Sequence, residues 1–456
     1  MINLFEYQNK VSFKGNYSGL ENFLDEIWNK RERNNFYEID DSEKVEVQRF
    51  VQFIHKTKEI KSNKYVGVIH FEGQKVNLLP KIFYDSEKIY DTKEINAIQQ
   101  HILWYLSYCR KLKFPNFKSS LGSLKNDFFE ILIYLFAKYT RELLSNSIFQ
   151  QYEEVEREVH NIKGRLNTSA YITENLSKAH WHKVSCTYDS FVMDNKFNRI
   201  VKYVTQLLFN VSSNFENRKY LREILFILDD VSDEKASAIE CSSIVFNPMY
   251  KEFETIRDYC TLFLSNSISI DYKNDLKLFA FLLPMEYLFE DFVFGFINRE
   301  LKEINVKSQV SSTHLDEGKI FGLKPDLCIS TVTKRFIADT KYKIAYSDKN
   351  DPKNGVSQND LYQMVAYAIR FNIQDIVLLY PNMLKTRQNG MSGMQIIDKL
   401  ATDKEINISS HQLPIINYEL FDTESDFRNI ELSELFKKQK EELKIKLRDV
   451  FDANPL

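Results

Sequence analysis

The sequence predicts an α+β chain of several domains: an N-terminal β-rich region, a mostly helical middle and a C-terminal α/β core. Three observations lead there. Residues 64 to 84, "KYVGVIHFEGQKVNLLPKIFY", alternate apolar and polar positions about a Glu-Gly turn, the pattern of a β-hairpin. From 94 to 150 the spacing becomes helical, with Ile102, Leu103 and Leu106, then Phe128, Phe129, Ile131, Leu132 and Leu135, recurring at three and four. From about 276 the order reads helix, three strands, helix, strand, which is an α/β arrangement. Boundaries are therefore drawn at 1–90 for the β-rich domain, 91–275 for the helical middle and 276–456 for the core with its C-terminal helix.

Bulk properties bound the rest. At 456 residues the chain exceeds one ordinary core, and two or three domains are expected. Hydrophobic residues make up 43% and aromatics 14%, with Gly 12 and Pro 9, which excludes a disordered or fibrous chain. A net charge of −3 excludes a uniformly basic coat but leaves room for local Lys/Arg patches. The five cysteines, Cys109, Cys186, Cys241, Cys260 and Cys328, include no CxxC pair, so neither a zinc site nor a disulfide framework is indicated and a reducing compartment is expected.

The start, "MINLFEYQNKVSFKG", has no basic segment followed by a long apolar run, so a cytoplasmic location is expected. The most apolar window, "KLFAFLLPMEYLFEDFVFGFI", is interrupted by Pro284, Glu286, Glu290 and Asp291, which argues against a membrane span. It reads as a strand or helix end followed by a buried amphipathic helix, and no membrane partner is expected.

The elements follow in order. In the middle, "DNKFNRIVKYVTQLL" begins with Asp/Asn and places Ile200, Val201, Val204, Leu207 and Leu208 on a helical stripe. A helix at 284 to 303, with Pro284 in its first turn, is followed by "NVKSQVSSTHL", then by strand "KIFGLKPDLCIS", turn "TVTK" and strand "RFIADTKY". A charged loop at 346 to 357, helix "SQNDLYQMVAYAIRF" and strand "DIVLLYP" complete the core. The final "SELFKKQKEELKIKLRDVF" reads as a solvated surface helix.

Chemistry concentrates in "GLKPDLCISTVTKRFIADTKYK", residues 322 to 343. A strand alternates faces with period two, so Asp339 and Lys341 point the same way, and pairing with the preceding strand brings Asp326 beside them. Mg²⁺, or Mn²⁺ in its place, takes oxygen ligands, and Asp326, Asp339 and the Thr340 carbonyl supply them. Lys341 is placed to orient water or to neutralise charge developing on a phosphate. Glu286 and Glu290 share a helix face four apart, and Glu290 is preferred as a further catalytic carboxylate. Gln363 and Tyr367, also four apart, are candidates to brace the metal ligands.

A blander reading stands beside this one. Asp-x-Lys also occurs at Asp91, Asp271 and Asp275, so the tripeptide alone describes a salt-bridged hairpin as well as an active site. The Pro-Asp dipeptide and the strand, turn, strand order are what favour the site. His180 and His182 in "AHWH" have no further ligands at suitable spacing and read as ordinary surface histidines.

"PD" at 325 to 326, "DTK" at 339 to 341 and "QMVAY" at 363 to 367 resemble the PD-(D/E)xK nuclease superfamily. More closely, "GLKPDLCI" with "FIADTKYK", "NDLYQMVAYA" and "PMEYLFEDFV" resemble the McrC family, nuclease subunits of McrBC modification-dependent restriction systems. The likeness is strong over 284 to 381 and loose over 1 to 90 and 150 to 210. It implies a restriction-endonuclease-like core carrying a Mg²⁺-dependent endonuclease that acts on double-stranded DNA. It implies a partner too, a hexameric McrB-like AAA+ NTPase that the N-terminal part of the chain contacts and stimulates. No Gly-x-x-x-x-Gly-Lys-Ser/Thr occurs here, so no nucleotide is expected to bind this chain itself. Two other readings remain open on the sequence: a stand-alone restriction or repair nuclease, and a non-catalytic adaptor of an AAA+ ring.

Overall fold

The computed structural model describes residues 2–30, 50–109, 128–268, 279–308, 313–345, 353, 356–386, 391–398, 404–422 and 432–452. The chain forms two compact units, one of Met1–Leu132 with Ser265–Leu456 and the other of Ile133–Leu264.

In the first unit, the expected hairpin joins Tyr65–Phe71 to Gln74–Leu79 through a two-residue turn. Glu72 and Gly73 both take positive φ, 46° and 75°, which matches the right-handed twist of the strands they connect. The hairpin belongs to a five-stranded sheet in the order Ile2–Phe5, Gln74–Leu79, Tyr65–Phe71, Phe279–Pro284, Ser267–Ile268. The first pair is parallel and the others are antiparallel. Phe279–Pro284 thus leaves the C-terminal part of the sequence to pair with an N-terminal strand, across the boundary drawn at 276. Gly67 makes the pairing possible: at φ 145° a Cβ there would run into the carbonyl oxygen of Phe281.

One core serves this sheet, a three-stranded sheet (Lys10–Ser12, Glu59–Ser62, Val51–Ile54) and the helix Tyr17–Lys30. Leu4, Leu20, Ile60, Ile69, Leu78, Ala280 and Leu282 pack together in it. Each large aliphatic side chain so buried contributes about 1.5–3 kcal/mol. The helix Met285–Glu300 follows its strand directly, with Pro284 as the residue before its first turn. Its Phe292 ring lies 5.1 Å from Trp104 and 5.0 Å from Tyr105 of the helix Thr92–Tyr108.

The α/β core is a six-stranded sheet in the order Asn305–Ser308, Leu327–Ser330, Arg335–Thr340, Asp375–Pro381, Lys404–Leu413, Met391–Asp398. The first three strands are antiparallel, Arg335–Thr340, Asp375–Pro381 and Lys404–Leu413 are parallel, and the last edge is antiparallel again. Parallel neighbours need a crossover, and the helix Gln358–Phe371 provides it. Ser357 caps its start and Asn372, at φ 53°, ends it in the left-handed conformation. Met364, Tyr367 and Ala368 bury its inner face against Ile337, Ile376, Leu378 and Ile408. Most of the charged loop expected at 346 to 357 lies outside the described residues.

The charged C-terminal helix differs from expectation. Lys437–Val450 buries Leu443 and Leu447, and Phe436 before it stacks on Trp104 at 4.7 Å. Lys440 and Arg448 pair with Glu300 and Glu303 at 2.8 and 2.6 Å. Its apolar stripe is narrow, and the surrounding charges masked it in the sequence.

The second unit holds the helices Lys196–Val211, Phe215–Ile227 and most of Phe253–Asn266, and a sheet that the helical expectation understated. Gln151–Val159 and Val184–Val192 pair over nine residues, with Arg165–Leu166 on the other side of Val184–Val192. Four glutamates in "QYEEVEREV" replace the apolar alternation that announces a strand. Asn195 caps the helix after it, as the Asp/Asn start predicted. Among the described residues, no helix is long and apolar enough to cross a membrane.

Candidate active site

The site forms where two antiparallel strands of the six-stranded sheet end together. Leu327 pairs with Ala338, so one step further along brings Asp326 beside Asp339 and Thr340. Oδ2 of Asp326 accepts two hydrogen bonds from Thr340, from its backbone N–H at 2.7 Å and from its hydroxyl at 2.7 Å. Thr340 therefore fixes the carboxylate with its side chain as well as its backbone, a role the sequence did not reveal.

Asp339 is 1% exposed. Its Oδ2 lies 2.5 Å from the Lys341 ammonium in an ion pair and has no other polar partner among the described residues. Burial, then the charge of Asp326, pushes Asp339 up to about 7, with Lys341 opposing. Asp326 is likewise raised by burial, against the two bonds from Thr340. Burial pulls Lys341 down, but Asp339, Asp326 and Asp360 outweigh it and hold the ammonium above its ordinary range.

The Lys341 ammonium also donates to Gln363 Oε1 at 3.0 Å. Gln363 Nε2 donates to the Tyr367 hydroxyl at 2.9 Å, and that hydroxyl donates to the carbonyl of Lys324 at 3.2 Å. Lys324 lies two residues before Asp326, so the chain of contacts returns to the segment leading into the strand Leu327–Ser330. Burial, with the charge of Asp339 behind it, holds Tyr367 protonated well above the usual phenol range. All four residues Asp339, Lys341, Gln363 and Tyr367 are thus brought together.

Sequence reasoning missed Asp360 and Lys343. Both oxygens of Asp360 accept from the Lys343 ammonium at 2.9 Å, and Oδ1 lies 3.9 Å from Lys341. Although burial opposes it, the bonds from Lys343 and Ser357 hold Asp360 below the usual carboxylate range. The signal was present: Asp360, Gln363 and Tyr367 stand three and four apart, on one helix face.

Glu290 is buried on the helix Met285–Glu300, which packs on Arg335–Thr340, whereas Glu286 is exposed. Among the described residues no group of three or more His, Cys, Asp or Glu side chains is arranged to hold a metal. The two facing carboxylates fit a hard cation nonetheless. Mg²⁺ is commonly held by one or two carboxylates and waters, and the buried Asp339 Oδ2, whose one partner among the described residues is the Lys341 ammonium, is the kind of donor it takes.

Of the other Asp-x-Lys tripeptides named above, the one at Asp91 separates from this site. Asp91 caps the helix Thr92–Tyr108, accepting from Lys93 N–H at 2.7 Å and Glu94 N–H at 3.1 Å. Asp271 and Asp275 lie outside the described residues. His180 and His182 are exposed, with ring centroids 6.3 Å apart.

Comparison with known proteins bears on the whole chain. It is similar over 98% of its length to 99% of a chain in the half-complex from a tetradecameric assembly of Thermococcus gammatolerans McrB AAA+ hexamers with bound McrC, at TM-score 0.65 and 18% identity. At that identity the likeness is one of fold. A chain of the cryo-EM structure of the Thermococcus gammatolerans McrBC complex matches 66% of this chain over 88% of its own, at TM-score 0.48 and 20% identity. No curated protein matches the sequence. The family model for the McrBC 5-methylcytosine restriction system component matches residues 60–381, well over half of the sequence, and the chain belongs to that family.

Proposed function

We propose that the chain is the Mg²⁺-dependent DNA endonuclease subunit of an McrBC-like restriction system, acting in the cytoplasm on foreign, modified double-stranded DNA. The observation that carries it is the closed run of contacts through Asp326, Thr340, Asp339, Lys341, Gln363 and Tyr367. This is the chemistry of a PD-(D/E)xK core: two carboxylates and a lysine at paired strand ends, braced from the crossover helix.

Asp326 and Asp339, with the Thr340 carbonyl, would hold Mg²⁺, and Mn²⁺ suits the same donors. When bound, the cation polarises the scissile phosphate and lowers the pKa of its water. Lys341 stays charged because carboxylates surround it, and its ammonium neutralises charge developing on the phosphate. Gln363 fixes the direction of that ammonium, and Tyr367 fixes Gln363. Glu290 is kept as the buried carboxylate of the helix packed on the same strand.

The solved relative carries bound McrC on McrB AAA+ hexamers. By the same reading this chain docks on an AAA+ NTPase hexamer and stimulates it, with residues 1–90 making the contact and 276–456 doing the cutting. The test is Mg²⁺-dependent cleavage of modified DNA by wild type, Asp339→Ala and Lys341→Ala, each with and without the AAA+ protein of the system and its nucleotide. Wild type is expected to cut with the motor and both variants to remain inactive. Retained cutting by folded Asp339→Ala would overturn the assignment.

A further inference from the structure

Glu6 is a buried acid that the proposed chemistry does not use. It follows the strand Ile2–Phe5 directly, is 1% exposed, and is bound to the sheet by its own N–H, which donates to the Leu79 carbonyl at 2.9 Å. Its Oε2 accepts from the Lys81 backbone N–H at 3.1 Å and from the hydroxyl of Tyr342 at 3.0 Å, 336 residues away. The Lys81 ammonium sits 4.5 Å over the Tyr342 ring, and Phe289 packs 5.9 Å from it. A buried carboxyl is costly unless it is hydrogen-bonded, so a fold that keeps one here uses its bonds to hold something.

What it holds is the residue after Lys341. Beyond Thr340 the strand ends; Lys341 makes one more ladder bond, its N–H donating to the Leu379 carbonyl at 2.8 Å. Lys343 N–H then donates back to the Lys341 carbonyl at 2.8 Å, closing a three-residue turn with Tyr342 at its centre. This turn places two lysines on one side, so that Lys341 reaches Asp339 and Lys343 reaches Asp360. Tyr342 is 3% exposed, and its hydroxyl donates to Glu6. A second tie runs alongside, from Leu384 N–H to the Ile82 carbonyl at 2.8 Å.

We infer that Glu6 is a positioning residue for the candidate active site: it pins Tyr342 at the centre of the turn and so holds Lys341 against Asp339. The inference rests on the proposed nuclease reading for its effect on rate, but not for its effect on the turn. Glu6 reaches the site through Tyr342, the neighbour of Lys341.

The experiment compares full-length wild type with Glu6→Leu, Glu6→Gln and Tyr342→Phe, assembled with the AAA+ protein. Cleavage kinetics and backbone hydrogen exchange at 341–343 are measured on each. A displaced catalytic group costs about tenfold or more in rate, so Glu6→Leu and Tyr342→Phe should lose that much in kcat with KM little changed. Glu6→Gln keeps an acceptor for Tyr342 and should stay within about threefold of wild type. The double variant Glu6→Leu with Tyr342→Phe should be no slower than the slower single variant, because both break one link. Exchange at 341–343 should rise in the two damaging variants and not in Glu6→Gln, with the strand Asp375–Pro381 unchanged.

Wild-type rate and unchanged exchange in folded Glu6→Leu would overturn the inference. If wild type itself fails to cut, the nuclease reading fails, and the exchange measurement still decides whether Glu6 holds the turn. A uniform rise in exchange across the chain would show a general loss of stability and count against a positioning role.

Discussion

The ammonium of Lys341 lies 3.0 Å from the side-chain oxygen of Gln363, a contact between a strand end and the crossover helix that follows it. The lysine is therefore aimed from two sides, by the carboxylate of Asp339 and by a neutral amide. Removing the amide leaves the charge in place and loosens its direction. Gln363→Ala is expected to lower kcat for DNA cleavage by about 10- to 100-fold while changing melting temperature little. Steady-state kinetics with a thermal melt checks this, and an unchanged kcat would show that Asp339 alone suffices.

Tyr367 stands one step further out. Its hydroxyl donates to the Lys324 carbonyl at 3.2 Å and accepts from Gln363 at 2.9 Å. Tyr367→Phe removes that donor from the carbonyl of Lys324, an exposed residue, at a cost of about 0.5–1.5 kcal/mol. The expected result is a fall of about one to two degrees in Tm and a smaller loss of activity than in Gln363→Ala. A larger loss of activity than of stability would place Tyr367 nearer the chemistry than the structure does.

Asp339 gives a pH dependence with a definite sign. Burial and Asp326 raise it to about 7 from its ordinary 3.8. An acid raised on folding contributes stability that is full below about pH 4 and is lost as pH climbs toward 7. Mg²⁺ favours the ionised form and should offset that loss. The cation is therefore expected to raise Tm more at about pH 8 than at about pH 5.5, and in Asp339→Asn the difference should largely vanish. Equal shifts at both pH values would contradict a cation held by Asp339.

The shared sheet bears on truncation. Phe279–Pro284 pairs with Tyr65–Phe71 along six positions, and Ala280 and Leu282 complete the N-terminal core. Deleting residues 1–90 removes that partner strand and Glu6 together. The shortened chain should be poorly soluble, with residues 276–456 showing raised exchange near 279–284. A well-folded fragment by circular dichroism and exchange would show that the pairing adds little stability.

Much of the local structure was legible in the sequence. The Glu-Gly hairpin, the helix that follows Pro284 and the pair Leu327–Ser330 and Arg335–Thr340 are set by period-two or helical spacing and by residues suited to turns and caps. The first strand of that pair is expected from 319, but Gly322–Leu323 instead pairs with Thr313–His314 in a separate two-stranded sheet. Asp326, Asp339, Lys341, Gln363 and Tyr367 were legible as candidates for the same reason: their spacings act within one strand pair or one helix face.

Only the tertiary structure decided the rest. That Phe279–Pro284 lies in the N-terminal sheet, that Glu6 meets Tyr342, and that Leu443 and Leu447 turn a charged helix into part of the core depend on segments distant in sequence. No local signal specifies such pairs, because sheet partners and buried acids are chosen by packing and by the cost of leaving polar groups unsatisfied. The sequence by itself placed the chemistry on its strands; the fold decided which distant residues hold it in position.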